Sequence, residues 1–416
     1  MHEPAPLSYG QLSVWRDVRE LGRDRWHEAN TRTIWPLAGE GEPKVSAVED
    51  AVLALAARHE SLRTVYGLSD PYAPVQRVLP SVGEVDSGTV ECGPEEFDGV
   101  VAALAAAPFD LSAAPAWRFR VVTVDDRPRA VVLIGHHIVA DGWSNTILES
   151  DFRAALRGQV PPGAAAPPTP RELAGWQRSP DRRARQAALT AYWERIFGLP
   201  AASLRTAGAP APPDDACQYS VRSRQASAAA RRLAEQLTVP VSSVVLAAFT
   251  WSVARLAGPG PLVAQLMSSN RFVPPWTDVV SSMNQWTAAS VGAAPDAFVP
   301  YVRHVHTQSL LAYRHGMYDV DEIDALRDRA GAGRAPHQAS CAFNFLTDGP
   351  APPGADEESG PVREVPFSRI GHPCYLRATD EAGATLELRL RTMGIADTVT
   401  RDILDGTVAR LSDPAS

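Results

Sequence analysis

The chain of 416 residues has almost no lysine: Lys44 is the only one, and every other basic residue is arginine. None of its four cysteines stands in a Cys-x-x-Cys pair: Cys92, Cys217, Cys341 and Cys374. This spacing argues against a zinc site and a disulfide framework, and it is typical of a reducing compartment. Forty basic and 48 acidic residues give a net charge of −8, which does not favour nucleic acid or an anionic membrane as a partner.

Long uninterrupted apolar runs are also missing. The longest apolar stretch, residues 239–257, is interrupted by Pro240, Arg255 and several hydroxyl side chains, so it predicts a buried helix rather than a membrane span. The sequence begins Met1-His2-Glu3-Pro4, without the basic and apolar regions of a signal peptide. It contains neither a phosphate-binding Gly-x-x-x-x-Gly-Lys loop nor a Gly-x-Ser-x-Gly nucleophile motif. We therefore expect a cytoplasmic protein.

Helix and strand patterns alternate along the chain, which indicates an α/β protein with two lobes. Five prolines between residues 160 and 170 exclude a helix or a central strand there and favour an extended connector. We predict an N-terminal lobe at residues 1–160, a connector at 161–170 and a C-terminal lobe at 171–416.

Apolar periodicity gives the individual elements. Apolar residues recur at helical spacing over residues 45–62, and further helices are predicted at 182–197, 226–237, 241–256, 298–315 and 398–411. Strands are predicted at 117–124, 130–134, 262–267, 341–346 and 385–392, with residues 125–128 as a hairpin turn.

The most informative segment reads Gly135-His136-His137-Ile138-Val139-Ala140-Asp141-Gly142-Trp143-Ser144. It follows the predicted strand at 130–134 and precedes a helical pattern at 145–158. Two imidazoles and a carboxylate therefore lie at a turn beside the free N–H groups of a helix start, a setting that suits proton transfer. Because successive strand side chains point to opposite faces, His136 and His137 cannot both face one cavity, which also argues against their joint binding of a metal.

The pattern His-His-x-x-x-Asp-Gly at residues 136–142 resembles the signature of the condensation domains of nonribosomal peptide synthetases, within the chloramphenicol acetyltransferase-like superfamily. Residues 8–15 resemble that family's Ser-x-Ala-Gln-x-Arg-Leu-Trp motif, with Gly10 in place of alanine. Residues 58–64 read Arg-His-Glu-x-Leu-Arg-Thr, and residues 173–177 resemble the segment that ends in Trp-Gln. Asn270-Arg271 and Met283-Asn284 stand where the family carries an Asn-containing motif. The resemblance implies two chloramphenicol acetyltransferase-like lobes in a V arrangement with a tunnel between them.

The resemblance also implies residue roles. It assigns catalysis to His137 and structural roles to His136, Asp141, Arg63 and Arg58, with Asp141 paired to Arg63. From the residues alone, Asp141 can instead orient an imidazole, as the acid of a Ser-His-Asp triad does. The backbone N–H of Gly142, at the helix start, is a candidate donor to an oxyanion. Candidate tunnel residues are Trp143, Trp176 and Asn284.

The implied activity is condensation of a carrier-bound acyl or aminoacyl thioester with an amine or a hydroxyl group. An imidazole titrates near pH ~6.5 and can accept the proton of the nucleophile, which typically contributes about 10²–10⁴-fold to the rate. The residues leave open whether His137 is a base or a positioning group. The sequence shows no Asp-Ser-Leu-type attachment site for a phosphopantetheine arm, so we expect a free-standing protein. An acyl or peptidyl carrier protein would then supply 4′-phosphopantetheine in trans. We expect no bound metal.

Two other functions are compatible with the resemblance. One is acyl transfer from coenzyme A to a soluble alcohol or amine. The other is a non-catalytic module that recruits a partner to a carrier-bound peptide. Recruitment modules of this family typically lose the His-His-x-x-x-Asp-Gly pattern, and every fixed position is present here, which favours catalysis.

Overall fold

The computed structural model describes residues 3–159, 165–202, 204, 216–292, 297–330, 340–348, 359–366, 371–381 and 383–413. The chain divides into two compact units. Unit 1 contains Met1–Arg185 and Ser269–Asn284, and unit 2 contains Gln186–Ser268 and Gln285–Ser416. The predicted mixed α/β class is confirmed in both units.

The division differs from the predicted connector at residues 161–170, of which residues 161–164 lie outside the described part of the chain. Unit 1 continues to Arg185 because helix α5 (Pro170–Gln177) packs against strand β1 (Ala5–Pro6). The side chain of Gln177 also joins α5 to the first residue of the helix at Tyr9–Arg19, since its Oε1 accepts a hydrogen bond from the Tyr9 N–H at 2.8 Å. A proline-rich stretch therefore did not mark the boundary.

Unit 1 contains two sheets. A four-stranded sheet has the order β2 (Asn30–Pro36), β7 (Arg127–His136), β6 (Trp117–Val124) and β5 (Thr89–Glu91). A three-stranded sheet has the order β1, β4 (Val75–Val78) and β3 (Thr64–Gly67). The helices are α1 (Tyr9–Arg19), α2 (Val45–Arg58), α3 (Pro94–Ala106), α4 (Gly142–Leu156), α5 and α6 (Pro180–Arg183). Three short 3-10 helices lie at Arg23–Ala29, Glu60–Arg63 and Trp276–Asp278.

The strand β7 is buried on both faces, as its continuous apolar run predicts. On one face, Val132 and Ile134 pack with Val101 of α3. On the other face, Trp35 of β2 is fully buried and stacks on Phe152 of α4 with ring centroids 4.9 Å apart. The four-stranded sheet thus lies between α3 on one side and α4 on the other, and β7 is held rigidly up to its last residue.

Unit 2 is built on one seven-stranded sheet. Its order is β10 (Gln285–Gly292), β9 (Leu262–Ser268), β11 (Cys341–Asp348), β13 (Cys374–Glu381), β14 (Thr385–Met393), β8 (Ala216–Ser223) and β12 (Ser359–Glu364). The helices are α7 (Gln186–Phe197), α8 (Arg224–Leu237), α9 (Val241–Ala254), α10 (Phe298–Arg314), α11 (Val320–Arg329) and α12 (Asp397–Ser412). Helix α9 is buried along almost its whole length, in agreement with the prediction from its composition.

The chain leaves unit 2 between two neighbouring strands. Strands β9 and β10 pair antiparallel, and the segment that joins them, Ser269–Asn284, belongs to unit 1. We call this segment the inserted segment. It carries the Asn270-Arg271 and Met283-Asn284 pairs, which stand where the family has an Asn-containing motif.

Most predicted elements are confirmed, with shifts at their ends. Helix α2 ends at Arg58 rather than 62, although His59 and Leu62 are buried as the apolar pattern predicted. The predicted helix at 182–197 is two helices, α6 and α7. The predicted hairpin turn is confined to Asp125 and Asp126, whose φ angles of 52° and 60° are those of a tight two-residue turn.

Among the described residues, no single helix is both long and apolar enough to cross a membrane; α8 and α9 satisfy that test of length and composition only jointly, and the two are bent by 111°.

Candidate active site

Strand β7 delivers the two histidines to a turn, and helix α4 starts directly after that turn. The strand ends at His136, residues 137–139 form the turn, and the helix begins at Gly142. Asp141 is the N-cap residue of α4, and its Oδ1 accepts a hydrogen bond from the Ser144 N–H at 2.8 Å. Aspartate is among the best residues at this position because its carboxylate satisfies an N–H group that has no partner inside the helix. The predicted strand–turn–helix unit is confirmed.

His136 is a buried, neutral histidine. It continues the face of β7 that carries Val132 and Ile134, and only 1% of its surface is exposed. Burial, and secondarily the neighbouring His137, lower the pKa of His136 to about 3. Its Nδ1 accepts a hydrogen bond from the Ile138 N–H at 3.2 Å, so the ring helps to shape the turn. A structural role for His136 stays a prediction.

His137 occupies a different environment from its neighbour. Its side chain is only partly buried, and its backbone N–H donates to the Ala29 carbonyl at 2.9 Å. The ring nitrogen Nδ1 lies 3.4 Å from the Ser282 hydroxyl oxygen of the inserted segment. The sequence predicted opposite orientations for the two imidazoles, and the ring of His137 is the more exposed of the two.

Asp141 joins helix α4 to the inserted segment. Its Oδ1 accepts a second hydrogen bond, from Nη2 of Arg271 at 2.8 Å, and its Oδ2 accepts one from the Met283 N–H at 2.9 Å. The two charged side chains are almost fully buried, with exposed fractions of 3% for Asp141 and 1% for Arg271. A buried carboxylate with a guanidinium and two N–H donors is fully satisfied, which is the condition under which a buried charge is tolerated.

The implied pairing of Asp141 with Arg63 is wrong for this chain. Arg63 donates from Nη1 to the Leu79 carbonyl at 2.8 Å, and its Nη2 lies 3.8 Å from the Glu60 carboxylate. The positions around Asp141 are occupied by Arg271, Ser144 and Met283 instead. A buried arginine does hold the motif aspartate, as expected, but it comes from a part of the sequence 130 residues away.

Four residues of this network were not predicted as site residues: Arg271, Ser144, Ser281 and Met283. The Ser144 hydroxyl donates to the Ser281 carbonyl at 2.8 Å and accepts from the Ser281 N–H at 3.0 Å and from Arg271 Nη2 at 2.8 Å. Arg271 also donates from Nη1 to the Val279 carbonyl at 2.7 Å, so it holds the inserted segment to itself as well as to α4. The Asn270-Arg271 pair was visible in the sequence as a family-like fragment, but spacing alone gives it no partner.

The Arg-His-Glu motif contacts helices α4 and α5. Arg58 Nε and His59 Nε2 each lie 2.8 Å from Oδ2 of Asp151 on α4. Glu60 accepts two hydrogen bonds from Arg171 of α5, at 2.8 and 3.0 Å. The hydrogen bond with His59, and secondarily the contact with Arg58, hold the pKa of the Asp151 carboxyl below its usual range. A structural role for Arg58 stays a prediction.

Gly142 and Trp143 open helix α4 toward solvent. Both are exposed, and a Cβ built on Gly142 would meet no atom within 4 Å, so a ligand has room to approach its backbone. The exposed fraction of Trp143 is 53%, and its indole N–H donates to the Thr277 carbonyl of the inserted segment at 3.0 Å. Both residues therefore lie within the strand–turn–helix unit that carries His137.

The remaining candidate tunnel residues lie at two different places. Trp176 of α5 is partly buried, its ring is 5.4 Å from that of Trp276, and the Arg182 guanidinium lies 4.5 Å from its ring centroid. Nothing in these contacts joins Trp176 to the histidine. Asn284, in contrast, accepts a hydrogen bond from the Ser282 hydroxyl at 3.1 Å and so belongs to the surroundings of His137.

No group of three or more histidine, cysteine, aspartate or glutamate side chains in the described part of the chain is placed to hold a metal ion. All four cysteines are buried and unbridged.

Comparison with known proteins identifies the family. The model of the condensation domain matches residues 31–359, well over half of the chain. The chain belongs to the condensation domain family, which confirms the resemblance inferred from the motifs at residues 8–15, 58–64 and 136–142.

The curated relatives are large synthetases. The nonribosomal peptide synthetase kk1B of Curvularia clavata is 27% identical over 342 residues, which cover 74% of this chain and 2% of that synthetase. The phosphinothricin tripeptide synthetase PhsC of Streptomyces viridochromogenes is 34% identical over 213 residues, 47% of this chain and 19% of PhsC. The chain thus spans a small part of the length of these relatives.

Solved structures show the same fold. The condensation domain from the monacolin K polyketide synthase MokA superposes with a TM-score of 0.80 at 17% identity, covering all of this chain and 98% of that domain. An identity this low establishes the fold alone. Condensation domains as a family form amide or ester bonds in the biosynthesis of peptide and polyketide natural products.

Proposed function

We propose that this protein joins an acyl or aminoacyl group, delivered as a thioester on a carrier protein, to the amine or hydroxyl group of an acceptor. The observation that carries the proposal is the contrast between the two motif histidines. His136 is buried and neutral, whereas the ring of His137 is partly exposed beside the start of α4. The intact motif and the exposure of one of its two imidazoles support His137 as the group that meets the nucleophile.

The reaction needs one proton to move. The acceptor nitrogen or oxygen attacks the thioester carbonyl, a C–N or C–O bond forms, and the C–S bond breaks. His137 accepts the proton of the nucleophile and passes it to the departing sulfur, which leaves as the thiol of the carrier's pantetheine arm. General base catalysis of this kind typically contributes about 10²–10⁴-fold.

The first N–H groups of α4 can stabilise the negative charge that develops on the carbonyl oxygen. The N–H groups of the first helical turn have no carbonyl partner within the helix, and Gly142 carries no side chain that blocks approach. Donors fixed in advance at a developing oxyanion are worth roughly 2.7–4 kcal/mol each in the serine protease subtilisin. We assign this role to the Gly142 N–H.

The carrier protein is the proposed partner, and its 4′-phosphopantetheine arm is the only cofactor. Family membership supports this assignment, because condensation domains act on substrates bound to carriers. The acceptor is either a small molecule or a second carrier-bound group, and the chain's own side chains are required only to bind it and to take up its proton.

Reconstitution tests the proposal. Purified protein is mixed with acyl-loaded carrier and a panel of amines and alcohols, and both the carrier and the product are followed by mass spectrometry. We expect the carrier to lose its acyl group. A product should appear whose mass equals that of the free acid plus that of the nucleophile, minus one water. Equal consumption of a coenzyme A thioester without carrier would point to a coenzyme A acyltransferase. A loaded carrier that is bound but never consumed would point to a recruitment module.

A further inference from the structure

The inserted segment places the Ser282 hydroxyl group within hydrogen-bond distance of the His137 imidazole and of the Asn284 side-chain amide. The Ser282 hydroxyl oxygen lies 3.4 Å from His137 Nδ1 and 3.1 Å from Oδ1 of Asn284. Ser282 itself is fully buried, whereas His137 and Asn284 are partly exposed. The Asn284 amide, the Ser282 hydroxyl and the His137 ring form a hydrogen-bonded chain that ends at Nδ1, and the other ring nitrogen, Nε2, is not part of it.

A count of protons gives this chain a direction. A serine hydroxyl has one hydrogen to donate, and here it is donated to the Asn284 carbonyl oxygen. The remaining contact of the hydroxyl, with His137 Nδ1, must then be one in which the ring donates and the serine oxygen accepts. A neutral imidazole carries its hydrogen on only one nitrogen, so the lone pair is left on Nε2.

We propose that Ser282 and Asn284 are positioning residues that hold neutral His137 in the tautomer with the hydrogen on Nδ1. This inference rests on the proposed function in one respect: Nε2 is then the atom that accepts the proton of the nucleophile. In the opposite tautomer Nε2 carries a hydrogen and cannot act as the base. The arrangement gives the ring what a carboxylate gives the histidine of a serine protease, with neutral partners.

The protein backbone fixes Ser282 at this place. The next residue, Met283, donates its N–H to buried Asp141 at 2.9 Å, and the preceding one, Ser281, exchanges two hydrogen bonds with Ser144. Behind Ser282 lies Gly10 of α1, whose missing side chain leaves room for the Ser282 and Met283 backbone. The serine is therefore held from both sides, as a group that sets a ring orientation must be.

The tautomer can be observed without any substrate. In protein labelled with ¹⁵N at its 10 histidines, long-range ¹H–¹⁵N correlation spectra distinguish a nitrogen that carries hydrogen from one that has a lone pair. The signals of His137 are assigned by their loss in His137→Gln. At a pH where the ring is neutral, we expect a protonated Nδ1 and an unprotonated Nε2. A protonated Nε2 in the wild type would overturn the proposal.

Variants distinguish the effect of the Ser282–Asn284 hydrogen bonds on His137 from a general effect on packing. Ser282→Ala should shift His137 toward a mixture of tautomers, Asn284→Ala should do so to a smaller extent, and Ser282→Thr, which keeps the hydroxyl, should restore the wild-type pattern. Ser150→Ala, at an exposed serine of α4, is the matched control and should change nothing. An unchanged tautomer in folded Ser282→Ala would overturn the proposal.

Activity gives a second readout that keeps the two proposals apart. We expect Ser282→Ala to lower kcat by roughly 10–100-fold with little change in KM, less than the loss on removing the base itself. The predicted tautomer in a protein that never consumes loaded carrier would leave this inference standing and reject the proposed function. Efficient turnover by a protein with the opposite tautomer, or a Ser282→Ala variant as active as wild type, would reject this inference and leave the proposed function standing.

Discussion

Asp141 and Arg271 form an ion pair buried inside unit 1, with Oδ1 and Nη2 2.8 Å apart. The same carboxylate caps helix α4 and accepts the N–H of Met283. One side chain therefore fixes both the start of α4, next to His137, and the segment that carries Ser282. The motif aspartate shapes the site without touching the imidazole in any contact that the structure describes.

Breaking this pair is expected to destabilise the protein. Asp141→Asn leaves a buried guanidinium without its counter-charge, and the free energy of unfolding should fall by roughly 3–5 kcal/mol. Urea titration of Asp141→Asn, Arg271→Met and the double variant measures the coupling, and we expect the double variant to lose much less than the sum of the single losses. Arg63→Met serves as the control. Coupling between Asp141 and Arg63, with none to Arg271, would contradict the observed pairing.

Gly10 is expected to tolerate no side chain. A Cβ at this position would lie 2.6 Å from the Met283 Cα and closer still to the Ser282 carbonyl oxygen, so Gly10→Ala must displace the inserted segment. We expect a loss of stability of about 1–3 kcal/mol, together with a changed tautomer ratio at His137. Gly175→Ala in α5 is the matched control, because nothing lies within 4 Å of an added Cβ there. It should be neutral, or stabilising by about 0.5–1 kcal/mol. Equal behaviour of the two variants would contradict the close approach at Gly10.

Buried His136 should make the fold sensitive to mild acid. Its pKa is about 3 in the folded protein, and an unfolded histidine titrates near ~6.5, so the unfolded chain binds more protons between these values. The contribution of His136 to stability is complete above pH ~6.5 and is lost progressively as the pH falls toward 3. His136→Asn should therefore show a smaller drop in unfolding temperature between pH 7 and pH 5 than the wild type does. His304→Asn, at an exposed histidine of α10, should show the wild-type drop. Identical drops in wild type and His136→Asn would argue against a buried neutral ring.

Asp151 is expected to matter for stability and not for the imidazole. It holds Arg58 and His59 at 2.8 Å each, so Asp151→Ala removes two charge-assisted contacts between α2 and α4. We expect a cost of about 1.5–3 kcal/mol in the free energy of unfolding and an unaltered His137 tautomer. Asp50→Ala, at an exposed aspartate of α2, should cost little. A changed tautomer ratio at His137 in folded Asp151→Ala would instead show that Asp151 and its partners Arg58 and His59 act on the imidazole.

The sequence predicted the strand, the turn and the helix start that carry the motif, because each depends on residues close together in the sequence. The apolar run 130–134 is a strand with both faces covered, and Asp141-Gly142 starts a helix, since capping and burial depend on neighbouring residues. The motifs at 8–15, 58–64 and 136–142 identified the family for the same reason.

The partners of the motif could not be predicted, because they come from distant parts of the chain. Arg271 reaches Asp141 only because unit 2 contributes the loop between β9 and β10 to unit 1, and nothing in the periodicity of 262–292 indicates this excursion. The division into units was misplaced for a related reason. Prolines mark an extended chain, but the packing of α5 on β1 decides where unit 1 ends.

The central claim is that one imidazole, that of His137, carries the chemistry. The most direct test compares single-turnover consumption of acyl-loaded carrier by wild type, His137→Ala and His304→Asn, with unfolding temperatures measured for all three. We predict that His137→Ala loses about 10²-fold or more of the rate at an unchanged unfolding temperature, while His304→Asn retains the wild-type rate. A folded His137→Ala protein that consumes the loaded carrier at the wild-type rate would contradict this claim.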